Sequence, residues 1–381
     1  MRTMVKRRLH LMEKMNNCLL KAFCYSPFHI AKRDTLVWWK AWGIRAVSVV
    51  LALIVCGIIT IALTGINPIK LYVSMLEGAV GTPRLVWNLL QNTAILLCVS
   101  LAVTPAFKMR FWNIGAEGQI LIGGLATAVC MIFLGGKIPS ALLILISFAA
   151  SIVGGAIWGI FPAYFKTRFN SNETLFTLMM NYIAIQIVAY FTLEWSVPKG
   201  SGTPRTLEFG QLPMLFGQKY LINILIVVVL TVIMYIYLKY SKHGYEIAVV
   251  GESEKTAKYI GIDVKKVIMR TMLISGAICG IAGFLLVAGT DHSLKSDTSG
   301  GRGFTAIMVS WLAKFNPIFM VLTSLLIVFL EKGASKISEV YRLNSSFSDI
   351  ITGIIIFFII GSEFFVNYTV KISKKDKEAN V

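Results

Sequence analysis

The chain is 381 residues long, 56% hydrophobic and 15% charged, with a mean hydropathy of +0.71; apolar runs near the length that spans a hydrocarbon core of about 30 Å recur from residue 44 almost to the end, which excludes a soluble globular domain. A formal net charge of +18 is compatible with nucleic-acid binding, but most Lys and Arg fall in the first 45 residues, in 239–270 and in 371–377, the segments that a positive-inside topology holds in the cytoplasm. The six cysteines form no C-x-x-C pair and read as small buried hydrophobes, and the four histidines (His10, His29, His243, His292) are scattered, so no metal site is assigned.

Residues 1–43 are too long and too polar for a cleavable signal peptide and read as a basic cytoplasmic extension. Trp38, Trp39 and Trp42 suit the headgroup belt just before the first span. Apolar runs predict spans over 44–63, 85–105, 114–134, 141–163, 174–194, 220–238 and 267–289, and a last one over 349–369. Residues 303–331 are too long for one ordinary helix, and Lys314-Phe315-Asn316-Pro317 interrupts them, because proline disfavours helical geometry in the residue before it. Two crossings in that region return the basic tail (Lys371, Lys374, Lys375, Lys377) to the cytoplasm. Since 303–314 is short for a full crossing, a re-entrant segment shielded by protein is the alternative.

The expected fold class is therefore all-α: a polytopic transmembrane bundle of about ten helices with broken or re-entrant segments and both termini cytoplasmic. The membrane domain covers 44–370, with a basic tail at 371–381. The larger outer loops are expected at 64–84, 195–219, 290–302 and 332–348, none long enough to fold as a domain. An outside partner has to bring its own binding domain.

Polar groups inside apolar runs are costly and mark pathways or interhelical bonds. Asn88, Gln91 and Asn92 share one face of the second span, and Thr174, Thr177 and Asn181 share one in the fifth. The string FWNIGAEGQILIGG at 111–124 combines Gly115, Gly118, Gly123 and Gly124, which allow close packing or a broken helix, with Asn113, Glu117 and Gln119 at the edge of an apolar run. Glu117 is expected to face protein, water or a helix N-terminus rather than lipid. The candidate pathway residues are Asn88, Asn92, Asn113, Glu117, Gln119 and Asn181; interhelical packing is the competing reading. Glu363 in the last span is the nearest to a buried ionisable group and reads as interfacial.

The longest internal cytoplasmic segment, 239–266, orders glycine, a short apolar stretch, glycine, then a helix-compatible stretch ending at Gly261. Residues 253–260 allow about two helical turns, too few to be stable alone in water, so a docking element held by a partner and a short interfacial helix both fit. No G-x-x-x-x-G-K-[ST] string occurs, so ATP coupling by that route requires another subunit. No motif supports a catalytic set.

Taken in order, NIGAEGQ at 113–119, SNETLFTLMMNYIA at 171–184, GYEIAVVGESEKTAKYIGI at 244–262, SGAICGIAG at 275–283 and GFTAIMVSWLAKFNP at 303–317 resemble the permease subunits of bacterial ATP-binding cassette importers in the branched-chain amino acid, ribose and nucleoside superfamily, most closely the nucleoside-type branch. The likeness covers about residues 45–370. It implies a multi-pass protein of the bacterial cell membrane, working with cytoplasmic ATPase subunits, a second permease subunit and an extracytoplasmic substrate-binding protein. The chain itself binds no cofactor, and ATP is used by the partners. Gly244, Glu246, Gly251, Ala257 and Gly261 carry over as coupling positions. The sequence departs from the family pattern at Ala248, where relatives usually carry arginine, and at Ala257-Lys258-Tyr259-Ile260. Nucleosides lead as substrate, with a simple sugar such as ribose as the alternative; an ion-coupled secondary transporter is the competing class, disfavoured by the scarcity of buried ionisable groups.

Overall fold

A computed structural model describes residues 28–33, 37–65 and 67–372. Most of the N-terminal extension and of the basic tail lies outside the described residues. Two compact units form: Ile69–Asp349, and a smaller one built from both chain ends, up to Pro68 and from Ile350 onward.

The smaller unit holds α1 (Trp38–Thr64) and most of α13 (Ser345–Asn367). Each helix continues into a strand, β1 (Phe28–Lys32) before α1 and β2 (Tyr368–Ile372) after α13, and the two pair antiparallel with Phe28 opposite Ile372 and Lys32 opposite Tyr368. Apart from this pair the elements of the described residues are helical, as the all-α reading expects; five residues such as YTVKI are too few for a periodicity argument to separate strand from helix end. Beside the strands, Arg45 Nε and Nη2 both donate to Glu363 Oε1, at 2.9 and 2.6 Å. Glu363 is thus half of an ion pair that ties the first membrane helix to the last.

In the larger unit, α2 (Pro68–Val80) occupies what was expected to be the loop 64–84. Then follow α3 (Pro83–Lys108), α4 (Ala116–Leu134), α5 (Ser140–Phe169), α6 (Glu173–Glu194) and α7 (Leu221–Tyr240). Helix starts are set locally: Thr82 caps α3 with Pro83 at its first position, Asn172 caps α6, and Asn316 caps α12 ahead of Pro317. Two short helices, α8 (Lys242–Glu252) and α9 (Glu254–Tyr259), precede α10 (Val264–Leu286), whose last turn widens into a π-turn over Val287–Asp291. After α11 (Arg302–Leu312), α12 (Pro317–Val340) extends into the segment expected as the loop 332–348. Its closing stretch GASKISEV keeps the helical spacing of buried Gly333, Ala334 and Ile337.

α10 forms the centre, packed against α3, α4 and α5. The contact is a seam of small residues: a Cβ on Gly276 would strike the Gly155 carbonyl, and one on Gly280 the Ser151 carbonyl. The string SGAICGIAG therefore brings backbones together where lipid supplies no hydrophobic drive for helix association and close packing must.

Among the described residues nine helices are long and apolar enough to cross a bilayer, an odd number. The segment 292–312 adds irregular chain and the short helix α11. α11 runs alongside α3 in the same direction: Arg302 donates to Asn92, Ser310 to the Ser100 carbonyl, and the Trp311 ring lies 6.5 Å from that of Phe107. Eleven helical residues cover only about 16 Å; the remainder is irregular chain in which Thr298 and Ser299 are buried. Residues 290–302, expected as an outer loop, form irregular chain that is partly covered: Leu294, Thr298 and Ser299 are buried while Asp291, Lys295, Asp297 and Gly300 are exposed.

Candidate transport site and coupling surface

Three groups of residues carry the polar chemistry of the larger unit. The first surrounds the break between α3 and α4, where Arg110 takes a left-handed φ of 60° and the chain turns back into the bundle at Asn113. Helix ends leave backbone donors and acceptors without partners, and inside a membrane these must be met by side chains. Asn113 Oδ1 accepts from the Gly115 N–H at 3.0 Å while its Nδ2 donates to Ser275 on α10 at 3.2 Å. Thr177 accepts from the Ile114 N–H, and Asn181 both accepts from the Gly118 N–H and donates to the Ile114 carbonyl, each at 2.8 Å. Gln119 donates to Asn113 Oδ1 at 3.4 Å. All four of Asn113, Gln119, Thr177 and Asn181 are buried.

Glu117 reaches across to α11. Its two carboxylate oxygens accept the backbone N–H groups of Gly301 and Gly303, at 2.7 and 2.6 Å. The carboxylate thereby caps the N-terminus of a short helix whose start lies inside the protein, where the helix dipole favours negative charge. Gly303 has to be glycine, since a Cβ there would sit 2.6 Å from the Glu117 oxygen. Of the surroundings expected for Glu117, protein, water or a helix N-terminus, the structure shows the N-terminus of the helix that begins at Arg302.

The second group is less enclosed. Arg302 Nη2 donates to Asn92 Oδ1 at 3.0 Å, Asn92 Nδ2 donates to Asn88 Oδ1 at 2.7 Å, and half-buried Asn88 ends the chain. Gln91, on the neighbouring turn of α3, donates to Thr290 Oγ1 of the π-turn. Of the six pathway candidates, Asn88 and Asn92 thus gather around Arg302, while Asn113, Glu117, Gln119 and Asn181 gather around the two helix breaks. Arg302 was missed by reading apolar runs, because it stands in the glycine-rich segment taken for an outer loop. At the other end of α11, Trp112 and Trp311 stack with centroids 5.9 Å apart, both about half exposed, one beside each helix break. That pairing had no signal in the linear sequence beyond the two tryptophans.

The third group is the α8–α9 elbow. Ile247, Val250 and Ala257 are buried against Ala106, Met109 and Phe111 from the end of α3 and Val264, Val267, Ile268 and Met272 of α10. A Cβ on Gly251 would meet the Lys108 carbonyl, and one on Gly244 the Leu238 carbonyl at 2.6 Å. Gly261 closes the elbow at φ +85°, a left-handed conformation that favours glycine. Glu246 binds Arg270 of α10 at 2.7 Å, with His243 Nδ1 at 3.6 Å. Of the five expected coupling positions, Gly244, Glu246, Gly251 and Ala257 are thus turned toward the membrane helices, whereas Gly261 is exposed with open space around it. The outward face belongs instead to Tyr245, Tyr259 (93% exposed) and Ile260, beside exposed Lys255 and Lys258.

The hydrogen bond from Arg270 holds the Glu246 carboxyl below its ordinary value of 4.5. A carboxylate held low in this way stabilises the elbow above its unfolded value, and the contribution is lost as pH falls through the lowered one. The tie between α8 and α10 is therefore expected to be constant through neutral pH and to fail below about pH 4.5. Thermal melts of the purified protein against pH, with Glu246→Gln alongside, check this; the variant is expected to lose that acid-side fall.

Comparison with known proteins gives a consistent set. The family described as branched-chain amino acid transport system / permease component matches residues 85–360. The chain is 27% identical over 356 residues to the glucose ABC transporter permease protein TsgB13 of Haloferax volcanii, covering 90% of this chain and 93% of that one. It is 29% identical over 323 residues to the guanosine ABC transporter permease protein NupP of Bacillus subtilis, covering 83% and 92%. To the nucleoside ABC transporter permease protein NupB of Lactococcus lactis it is 26% identical over 326 residues, covering 82% and 89%.

Proposed function

This chain belongs to the permease-component family of the branched-chain amino acid transport system, and from that premise we propose that it is the membrane subunit of an ATP-driven importer of nucleosides. The observation that carries the reading is the α8–α9 elbow: an aromatic and aliphatic tip, Tyr259 and Ile260, left exposed beside lysines, on a base rigidly packed against the central helices α3 and α10. Large exposed apolar groups rimmed by charge suit a protein partner, and separate ATPase subunits are that partner here. The sequence contains no phosphate-binding loop of the G-x-x-x-x-G-K-[ST] kind, which supports placing ATP hydrolysis on those subunits. The face bearing the elbow is then cytoplasmic. A second permease completes the pathway, and a binding protein delivers solute from the far side.

In this reading Asn88, Asn92 and Arg302 supply hydrogen-bonding groups along the pathway, while Asn113, Glu117, Gln119 and Asn181 hold the broken helices that shape it. Sugars are the second reading, because a glucose permease of Haloferax volcanii aligns over nearly the whole chain. Uptake of labelled guanosine, a pyrimidine nucleoside, ribose and glucose in cells with and without the gene separates the two. Gene-dependent nucleoside uptake is expected, abolished by disabling the partner ATPase. Uptake of a sugar alone would select the second reading, and uptake that persists on an ion gradient without ATP would remove both.

A further inference from the structure

The π-turn at the end of α10 has features that no role discussed so far absorbs. Val287–Asp291 adds one residue to the helical turn, an irregularity that occurs as single turns and often at functional sites. Gly289 lies directly against the side chain of Asn223 at the start of α7. Asn223 is 0% exposed, and among the described residues neither its Oδ1 nor its Nδ2 has a hydrogen-bond partner. Gln91 is also fully buried; its Nε2 reaches Thr290, but its Oε1 has no partner among the described residues. A buried amide left unpaired disfavours the state that contains it relative to any state in which it is paired.

What holds the turn in this register is equally specific. Thr290 Oγ1 donates back to the Leu285 carbonyl at 3.2 Å. Two carbonyls of the region accept from outside the helix: Ala288 from the Leu212 N–H at 3.0 Å and His292 from the Leu207 N–H at 2.8 Å. The segment 207–212, between α6 and α7, is thereby bonded to the π-turn. At its other end α10 begins beside the elbow, through Arg270 and Glu246. One helix thus joins a loop on one face to the coupling surface on the other, with a strained register between.

We propose that the π-turn Val287–Asp291 is a two-register switch in the transport cycle, with Asn223 as the positioning residue that keeps the present register shallow and segment 207–212 as the element that releases it. Losing the extra residue rotates the following chain by up to about 100° and shifts it by about 1.5 Å relative to α10. Because 292–301 leads straight into α11, that motion moves Arg302 against Asn92 and draws on the Glu117 cap. Coupling of this kind requires an element with two discrete arrangements, and the π-turn supplies one.

The proposal rests on the transport reading for one of its readouts only. The test compares wild type, Asn223→Leu and Thr290→Val in the full complex reconstituted in lipid, by thermal melting, by amide exchange of 287–292 and by ATP-dependent guanosine uptake. Asn223→Leu replaces the unpaired amide with an apolar group of similar size, so it is expected to raise Tm, to slow exchange in 287–292 by about fivefold or more, and to lower uptake by a similar factor. Thr290→Val, which removes two bonds of the present register, is expected to speed exchange there. Asn223→Leu with unchanged or faster exchange, or with slowed exchange and undiminished uptake, overturns the switch. If the wild type moves no nucleoside or sugar, the transport reading fails while the exchange of the two variants still decides the switch.

Discussion

Glu117→Ala is expected to be the most damaging single substitution in the larger unit, costing about 3 kcal/mol or more of stability. Two backbone N–H groups, those of Gly301 and Gly303, end on its carboxylate, and its removal leaves both without a partner in a membrane interior, where each unmet donor costs more than the bond was worth. Glu117→Gln keeps one accepting oxygen and presents an NH₂ to the second donor, so its loss is expected to be intermediate. Thermal melting of the detergent-solubilised protein is expected to rank wild type above Gln above Ala, and uptake in cells is expected to fall more than tenfold for Ala. Gly303→Ala is expected to resemble Glu117→Ala, because its Cβ would occupy the space of the carboxylate. A Glu117→Ala protein that melts like wild type yet fails to transport would instead make this side chain a direct solute contact.

The second large effect is expected at Gly251. An added methyl group meets the Lys108 carbonyl, which is backbone and cannot rotate away, so α8 has to lift from the end of α3. Overpacking of this sort costs about 1–3 kcal/mol, and here the displacement falls on the surface offered to the ATPase. Gly251→Ala is expected to reduce both stability and co-purification of the ATPase subunits. Tyr259→Ala, at a 93% exposed position, is expected to leave the melt unchanged and to reduce co-purification alone. If Gly251→Ala retained full ATPase binding and uptake, the elbow would be a passive surface loop.

The helices were legible because each crossing writes an apolar run of fixed length, and caps such as Asn172 and Asn316-Pro317 mark where runs begin. The break before Pro317 could be read for the same reason. The segment 292–312 was harder. Its glycines and Ser299 look like surface turn-formers until Glu117, almost two hundred residues earlier in sequence, is seen to cap them. Gly244 and Gly251 of the expected coupling set face Leu238 and Lys108, and spacing carries no information on which way they point. Arg302 and the unpaired Asn223 were invisible for a similar reason, since a polar residue near a span end reads alike whether it meets water or a neighbouring helix.

The strand pair Phe28–Lys32 with Tyr368–Ile372, together with Arg45 and Glu363, has a consequence for biosynthesis. These contacts join parts of the chain separated by more than three hundred residues, and long-range pairing is late because loop closure precedes its reward. The smaller unit therefore cannot close until the ribosome has delivered everything between. A nascent chain halted before α13 carries its first membrane helix without the carboxylate and the strand that complete it. Quality control that senses a lone charged helix in the bilayer would thus read the arrival of α13 as the signal that this unit can close.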